Sequence, residues 1–352
     1  MQSDPNICLF RLSALGDVVH ALALIRRLQD GLTGARLSWV IGKFEQKLVG
    51  DVAGVEFLPI DKKRGLPARA ELRAALAGRH FDALLLAQVA LRAGLFASVI
   101  PARRRIGYDW PRSKELHSLF INERIKASGG FQHVHELLQG FADVLGVPQT
   151  PTRWDLPVPA EAHEFAAQHL PGSQPTLIIS ACSSHRLRNW HARGYAAVAD
   201  HAIRRHGLRV ALCGGPSAIE REMADDIKAE CGEPLIDLVG KDTLKRALAL
   251  MQRSIGVLTP DSGPMHMANA LGVPVLGLHA ATDSRRSGPY RALRYTVDAF
   301  PQACDRFLKR PHAETPWGTK IEKPGVMDLI EVDAVLEKLD LLMADRANGL
   351  QG

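Results

Sequence analysis

The sequence predicts an α/β protein made of two doubly wound domains, and three observations support this prediction. Short apolar runs typical of buried strands alternate with helical patterns along the chain. The alternation restarts after a proline-containing stretch at residues 148–159. The length of 352 residues suits two domains of ordinary size. We therefore expect two successive parallel sheets with a cleft between the domains.

The first half of the chain contains four apolar runs and two clear helical patterns. The predicted strands are 7–12, 36–41, 55–59 and 83–87, and the predicted helices are 18–29 and 71–77. The apolar run 83–100 contains Gln88 and Arg92. An arginine at the centre of a membrane-spanning helix costs about 2.5–3.5 kcal/mol, so we predict a strand followed by a helix instead.

The second half repeats the alternation. The predicted strands are 176–180, 210–214, 255–258 and 273–278, and the predicted helices are 195–206, 218–230, one that ends at Gly272, and 332–344. We expect a first domain at residues 1–160, a second at 170–330, and a C-terminal helix and tail at 331–352. The last helix carries apolar residues at helical spacing, which predicts that it packs on a core or braces the two domains.

Charge and cysteine usage narrow the classes of function. Residues 1–160 hold 21 Lys and Arg against 15 Asp and Glu, whereas residues 161–352 hold 23 of each. The net charge of +6 therefore lies in the first half, which indicates an anionic partner there or a solvated basic face. Five scattered cysteines without a C-x-x-C pair predict reduced thiols in a cytosolic protein. The N-terminus shows no signal-peptide pattern.

The turn after the strand 255–258 is the most informative stretch. It reads Thr-Pro-Asp-Ser-Gly-Pro and then becomes helical, so Asp261, Ser262 and Gly263 stand at a helix N-terminus between two predicted parallel strands. Unpaired N–H groups and the helix dipole both favour an anion at such a place. The anion we predict is a nucleotide diphosphate.

Asp17 stands at the start of the first helix, directly after the first strand. One interpretation is a helix N-cap, which contributes ~0.5–2 kcal/mol. The other is a general base that faces the domain cleft. Only Gly16 is present where a dinucleotide fingerprint needs three glycines, which argues against an NAD site.

The loop after the strand 176–180 supplies groups that suit a pyrophosphate. Ser183 and Ser184 offer hydroxyls, and Arg188 offers a planar guanidinium with a permanent charge. A polar surface loop is the alternative. The chain has no Walker-type loop, no Asp-x-Asp pair and no histidines at metal-ligand spacing, so we expect no metal at the active site.

Three motifs taken together resemble the heptosyltransferases of lipopolysaccharide core synthesis, the inverting glycosyltransferases of family nine. They are Arg-Leu-Ser-Ala-Leu-Gly-Asp-Val-Val-His from Arg11, Ser-Ser-His-Arg-Leu-Arg-Asn-Trp from Ser183, and Pro-Asp-Ser-Gly-Pro-Met-His-Met-Ala-Asn-Ala-Leu-Gly-Val-Pro from Pro260. The tail from Pro316 to Asp328 is similar to the subgroup that adds the first heptose to a phosphorylated Kdo. The resemblance covers nearly the whole chain.

The resemblance implies a GT-B fold with two Rossmann-like domains, the acceptor in the first and ADP-heptose in the second, and a transfer that needs no metal or other cofactor. It implies that Asp17 is the catalytic base. The donor-nucleotide residues that it implies are Ser183, Ser184, Arg188, Glu220 as the ribose-binding acid, Asp261, Ser262, Gly263 and His266. The chain departs from the family pattern with Ser at position 262 for Thr, and with Asp242 near the expected adenine edge, where a relative carries an apolar residue.

These observations predict transfer of L-glycero-D-manno-heptose from ADP-heptose to Kdo–lipid A. The acceptor-binding candidates are Ser13 and two basic clusters, Lys62, Lys63 and Arg64, and Arg103, Arg104 and Arg105. Because lipid A lies in the bilayer, we expect a cytoplasmic enzyme that attaches peripherally to the inner membrane. Two alternatives stay open: another sugar-nucleotide enzyme such as an epimerase or a UDP-sugar transferase, and a basic nucleic-acid binder. The basic clusters lack the interleaved aromatic residues that favour nucleic acid.

Overall fold

The computed structural model describes residues 4–127 and 129–350. The chain divides into two compact units, the first ending at Pro157 and the second beginning at Val158. The boundary therefore falls inside the proline-containing stretch. Each unit contains one six-stranded sheet in which every paired strand runs parallel, which confirms the predicted fold class.

The first unit has the strand order β3-β2-β1-β4-β5-β6. Its strands are β1 (Asn6–Phe10), β2 (Arg36–Gly42), β3 (Val55–Ile60), β4 (Phe81–Leu86), β5 (Ala102–Gly107) and β6 (Glu123–Arg124). Its helices are α1 (Leu15–Gly31), α2 (Gln46–Val49), α3 (Leu66–Ala75), α4 (Leu91–Ala97) and α5 (Val134–Val144). The central strand β1 is covered on both faces, so four of its five residues are buried and apolar.

The second unit has the order β12-β11-β10-β7-β8-β9. Its strands are β7 (Thr176–Ile179), β8 (Arg209–Leu212), β9 (Ile236–Asp237), β10 (Gly256–Pro260), β11 (Val275–His279) and β12 (Val297–Asp298). Its helices are α6 (Ala160–His169), α7 (Ala192–His206), α8 (Ala218–Glu230), α9 (Leu244–Gln252), α10 (Gly263–Ala270), α11 (Ser284–Ser287), α12 (Phe300–Ala303) and α13 (Val332–Ala347).

Each sheet has a topological switch point, where the strand order reverses. In the first unit it lies between β1 and β4, which pair in the register Phe10 to Leu86. In the second unit it lies between β7 and β10, paired in the register Ile179 to Leu258. In open parallel sheets, ligands bind outside the carboxyl ends of the strands at this point. A ligand site is therefore expected at the loops that follow β1, β4, β7 and β10.

The C-terminal helix is part of the second unit. In α13, Val335, Leu339 and Leu342 are buried in the same apolar core as Trp190 of the loop before α7. The indole Nε1 of Trp190 donates to the carbonyl of Ile330, 3.1 Å away, which fixes the chain just before α13. Within residues 4–127 and 129–350, no helix has both the length and the apolar character needed to cross a bilayer.

Candidate functional site

Asp17 lies in the loop-to-helix junction at the switch point of the first sheet. Ala14 is the N-cap of α1, and Asp17 is the third residue of the helix, so the interpretation of Asp17 as the N-cap is wrong in detail. Its carboxylate nevertheless serves the helix end, because Oδ2 accepts a hydrogen bond of 3.2 Å from the Ala14 N–H. The side chain is 34% exposed, so the carboxylate is open to solvent at the carboxyl edge of the sheet.

The charge of Asp17 is balanced by Arg11, which was not among the site residues predicted from the sequence. The Arg11 guanidinium pairs with Asp17 Oδ2 and also donates to the carbonyl of Ala87 at the end of β4. Burial lowers the pKa of Arg11, but the neighbouring Asp17 carboxylate and Tyr108 raise it further, so the net shift is upward. Gln88 completes the junction, since its Oε1 accepts from the Leu12 N–H at 2.8 Å. Ser13 lies in the same loop, half-buried.

The first basic cluster follows β3 and therefore lies at the same edge of the sheet as Asp17. Lys62, Lys63 and Arg64 form a short 3₁₀ turn. The Lys62 ammonium pairs with the buried Glu45 at 2.7 Å, and Arg64 makes a two-pronged pair with the exposed Glu71. Lys63 is exposed. Two of the three cations are thus partly neutralised within the unit.

The second basic cluster is at the other edge of the sheet. Arg103, Arg104 and Arg105 belong to β5, a strand that the sequence interpretation missed because its charges hid its pattern. Arg103 and Arg104 occupy the amino-terminal half of β5, Arg105 is its fourth residue, and Arg104 pairs with Ala83 near the start of β4. Because the strands are parallel, Arg103 and Arg104 lie toward the amino edge of the sheet, away from the carboxyl edge that holds Asp17 and residues 62–64. This placement does not favour a single acceptor site formed by both clusters.

The contacts of Arg104 and Arg105 explain why arginines stand there. Arg104 makes a two-pronged pair with Glu123 on β6, with both distances 2.8 Å. Arg105 donates to the carbonyls of Phe120, Ile100 and Ala97 at 2.8–2.9 Å. Burial lowers the pKa of Arg105. The guanidiniums of Arg104 and Arg105 therefore stabilise the segments that surround β5.

In the second unit, the loop after β7 is organised by Asn189. The Asn189 Oδ1 accepts from the Ser183 N–H at 2.7 Å and from the Ser183 hydroxyl at 3.0 Å. Ser183 is buried, so its hydroxyl shapes the loop, whereas Ser184 is exposed and presents its hydroxyl outward. The Arg188 Nη2 lies 3.5 Å from the Ser184 hydroxyl. Ser184 and Arg188 thus stand together at the switch point of this sheet.

Arg188 is held by a distant carboxylate. Its Nε lies 3.2 Å from Oε1 of Glu322, and its side chain is 15% exposed. Arg186, two residues earlier, points elsewhere: it is 63% exposed and pairs with Glu222. Glu322 is far from Arg188 in sequence, and no local pattern could have connected them. Because Glu322 fixes the position of the Arg188 guanidinium, the remaining N–H groups of Arg188 keep a defined direction, which suits hydrogen bonding to an anion.

The Glu220 carboxylate accepts hydrogen bonds at the N-terminus of α8. Its Oε1 accepts from the Gly215 N–H at 2.7 Å, and its Oε2 accepts from the hydroxyl of the N-cap Ser217 at 2.6 Å. Glu220 also lines a small pocket at the carboxyl ends of β7 and β8, together with Ala181, Cys182, Cys213 and Val239. Apart from this carboxylate and the two cysteine thiols, the lining of the pocket is apolar.

Asp261 is a largely buried carboxylate two residues before α10, with its side chain 14% exposed. Burial would raise its pKa, but the nearby imidazoles of His266 and His279 hold that pKa well below the ordinary value. Its Oδ2 accepts from the Ser287 hydroxyl at 2.9 Å, and His266 Nε2 lies 3.7 Å from Oδ1. Ser262 is the N-cap of α10, and its hydroxyl lies 2.9 Å from that of Thr259. Gly263 begins the helix.

The charge of Asp261 modifies the expectation for this turn. The N–H groups at the start of α10 favour an anion, but a carboxylate already stands beside them. An ionised carboxylate accepts hydrogen bonds and repels phosphate, so it suits the hydroxyl groups of a sugar. Ser287 of α11, His279 of β11 and Thr282 of the loop between them support Asp261, and the sequence interpretation selected none of them.

Asp242 lies on the loop between β9 and α9. Burial raises its pKa to about 7, and the nearby Glu220 carboxylate adds to the rise. The Cys213 thiol, at the end of β8, also has its pKa raised by burial. A further negative charge near Asp242 and Cys213, in addition to that of Glu220, is therefore unfavourable.

Comparison with known proteins gives consistent results over the whole chain. Residues 69–317 match glycosyltransferase family 9 (heptosyltransferase). The chain is 35% identical over 341 residues to the lipopolysaccharide core heptosyltransferase OpsX of Haemophilus influenzae, covering 97% of this chain and 98% of that protein. It is 23% identical to lipopolysaccharide heptosyltransferase 1 of Escherichia coli K12, covering 81% of this chain and 91% of that protein.

Solved structures share the fold. A family 9 glycosyltransferase from Veillonella parvula has a TM-score of 0.78 at 21% identity and covers 98% of this chain and 99% of its own. The E. coli heptosyltransferase WaaC with ADP has a TM-score of 0.71 at 20% identity, with coverages of 96% and 99%. At these identities the likeness concerns the fold, which is the GT-B arrangement that the sequence resemblance implied.

Proposed function

Because the chain belongs to glycosyltransferase family 9, the heptosyltransferases, we propose that it transfers L-glycero-D-manno-heptose from ADP-heptose to Kdo–lipid A. The observation that carries this proposal is the 35% identity to a lipopolysaccharide core heptosyltransferase over almost the full length of both chains. Family membership also favours glycosyl transfer over an epimerase and over a nucleic-acid binder, and a UDP-sugar transferase is distinguished by its choice of donor.

The nucleotide of the donor binds at the switch point of the second unit. The nucleoside binds beside Glu220, whose carboxylate accepts hydrogen bonds from the ribose hydroxyls. Ser184 and Arg188 take the diphosphate, because the hydroxyl donates a neutral hydrogen bond and the guanidinium a charge-assisted one. Asp261, supported by Ser287 and His266, accepts from the hydroxyls of the heptose.

We expect Arg188→Met to raise the dissociation constant of ADP by about tenfold or more. A hydrogen bond to a charged group contributes ~1.5–3 kcal/mol, and ~1.4 kcal/mol corresponds to a factor of ten. Calorimetric titration with ADP measures the change. The matched control is Arg186→Met in the same turn, whose cation is exposed and paired with Glu222. Equal losses in the two variants would mean that Arg188 contributes only general charge.

The transfer is a single displacement with Asp17 as general base. Asp17 takes the proton of the acceptor hydroxyl while that oxygen attacks the anomeric carbon, and the bond to the diphosphate of ADP breaks. Both contacts of the Asp17 carboxylate within the described chain fall on Oδ2, which leaves Oδ1 toward the acceptor. A positioned general base contributes ~10²–10⁴-fold. Arg188 offsets the charge that develops on the leaving diphosphate.

The anionic acceptor binds near residues 62–64, at the carboxyl edge that also holds Asp17. We expect the triple variant K62A/K63A/R64A to raise the KM for Kdo–lipid A more than tenfold and to leave ADP affinity unchanged, because charge-assisted contacts to phosphate exceed ordinary surface pairs. Lys62 also neutralises the buried Glu45, so its loss destabilises the unit. K63A/R64A keeps that pair and should produce most of the rise.

The control for this variant is Arg103→Ala at the opposite edge of the sheet, where no effect on acceptor KM is expected. Steady-state kinetics with Kdo–lipid A in micelles, at low and high salt, measures both. If ADP affinity falls while acceptor KM stays constant, the two substrates have been assigned to the wrong units.

The first unit docks on the anionic inner face of the cytoplasmic membrane, where the acceptor lies. Four exposed leucines support this: Leu91 and Leu95 on α4, and Leu116 and Leu119 on the 3₁₀ segment that packs against α4. The exposed cations Arg92 and Lys114 lie beside them in sequence. Each Lys or Arg near an anionic surface contributes about 1 kcal/mol. L116S/L119S should reduce co-sedimentation with anionic vesicles, and unchanged sedimentation would contradict the docking.

The proposed function is tested by turnover of ADP-heptose with Kdo–lipid A, with and without the Kdo phosphate, in buffer containing EDTA. Transfer is expected to proceed without a divalent cation, since Arg188 supplies the positive charge at the diphosphate. UDP-sugars serve as the control donor. Turnover that collapses in EDTA and returns with Mg²⁺ would contradict the metal independence, and preference for a UDP-sugar would contradict the donor.

A further inference from the structure

Three metal-ligating side chains meet on the outer surface of the second unit. The Nε2 atoms of His201 and His206 lie 2.7 and 2.6 Å from the same oxygen, Oδ1 of Asp340. The three ligand atoms all lie within 4.8 Å of one another. Two imidazoles and one carboxylate are the ligand set that three-ligand zinc sites use, with water as the fourth ligand. None of these residues takes part in the transfer proposed above.

The fold brings the three residues together through two helices. His201 and His206 lie in the last two turns of α7, which ends at His206 because Gly207 takes a left-handed conformation with φ of 62°. Asp340 lies on α13, which packs against α7. The other oxygen of Asp340 lies 3.5 Å from Nε of Arg205, so a second cation orients the carboxylate.

The position of the cluster separates it from the donor site. The helix α7 begins at the carboxyl edge of the second sheet and ends where β8 begins, at the amino edge. Ser184, Arg188 and Asp261 lie at the carboxyl edge. An ion held by His201, His206 and Asp340 would therefore join two helices and would not touch the diphosphate.

We propose that His201, His206 and Asp340 bind one Zn²⁺ ion that joins α13 to α7. In a tetrahedral site with bonds of ~2.0–2.1 Å, neighbouring ligand atoms stand ~3.3 Å apart. The imidazoles would have to move only ~0.6–0.7 Å further from Oδ1 to reach that spacing, which side-chain rotation supplies. The side chains are 22%, 15% and 36% exposed, so an ion and a water molecule can enter. The alternative without a metal is a triad in which the imidazoles of His201 and His206 both donate N–H hydrogen bonds to the Asp340 carboxylate.

Calorimetric titration of the untagged, EDTA-treated full-length chain with Zn²⁺ tests the proposal. We expect one equivalent to bind with a micromolar or lower dissociation constant, and the melting temperature to rise on binding, because an ion that binds only the folded state stabilises it. Asp340→Asn keeps an oxygen that accepts from both imidazoles but is a poor zinc ligand, and it should weaken binding at least tenfold. His206→Gln should do the same.

The matched control is His312→Gln, because His312 Nε2 lies 2.7 Å from Asp283 in a pair that has only one imidazole. This variant should bind Zn²⁺ like the wild type. A dissociation constant above about 1 mM, or equal binding by wild type and Asp340→Asn, would overturn the proposal in favour of the hydrogen-bonded triad. Heptose transfer in EDTA is expected to be unaffected, so this result and the test of the transferase function are independent.

Discussion

Asp17→Asn is expected to reduce kcat at least a hundredfold while the affinity for ADP stays within about twofold, since a general base contributes ~10²–10⁴-fold. The amide keeps the size of the side chain and an oxygen that can accept from the Ala14 N–H, but it cannot take a proton. It also leaves the Arg11 guanidinium without its carboxylate. Single-turnover kinetics with ADP titration separates loss of chemistry from loss of the donor site.

Asp30→Asn is the matched control for this variant. Asp30 lies on the same helix, has 35% exposure against 34% for Asp17, and likewise pairs with an arginine, Arg153 at 2.5 Å. If Asp17→Asn retains more than about a tenth of kcat, or if Asp30→Asn loses as much, Asp17 serves only the helix end and its ion pair.

Asp242→Asn is expected to stabilise the second unit at neutral and higher pH. In the unfolded chain this carboxyl titrates near 3.8, and in the folded chain near 7. Well below pH 4 both states are protonated and the variant has no charge effect. As the pH rises from about 4 to 7 the wild type loses stability, because the unfolded carboxyl ionises while the folded one stays protonated; above pH 7 both states ionise and the loss is complete. The variant should gain up to about 4 kcal/mol at pH 8, at ~1.4 kcal/mol per pKa unit.

Urea titrations at pH 4, 6 and 8 measure this gain. Asp225→Asn provides a control of opposite sign, because a hydrogen bond from Lys228 holds the pKa of Asp225 below its ordinary value. Removing that carboxylate should destabilise the protein slightly at pH 7. A gain at Asp242 that does not depend on pH would show that the effect comes from packing or hydrogen bonding and not from its charge.

Periodicity and turn chemistry predicted most of the fold. The helix α8 matches its predicted range of 218–230, and β2, β3 and β7 differ from theirs by one residue. These elements combine a clear apolar pattern with clear ends. The prediction missed β5 because charged residues on a strand near the sheet edge break the apolar run. It also missed α5, α6 and α9, whose helical patterns were not recognised, although all are 9 to 11 residues long.

In the candidate site, too, some residues could be predicted from the sequence and others could not. Ser184, Arg188 and Asp261 stand on segments that follow strands, and Asp17 lies in the first turn of the helix after β1. Parallel topology alone places these segments at one edge of each sheet. Their partners could not be predicted. Glu322 reaches Arg188 from the tail, and Ser287 reaches Asp261 across 26 residues of chain. A basic run in sequence also does not reveal which cations are already paired, as Arg104 and Arg105 demonstrate.

The late position of α13 has a consequence for biosynthesis. The first unit contains all of its strands and helices before Pro157, so it can fold on the ribosome while the rest is still being translated. The second unit cannot close its core until Val335, Leu339 and Leu342 have been synthesised. A nascent chain that lacks α13 therefore carries a folded first unit and a second unit with exposed apolar surface. Such a chain is expected to stay bound to chaperones or to be degraded until the last helix has been synthesised.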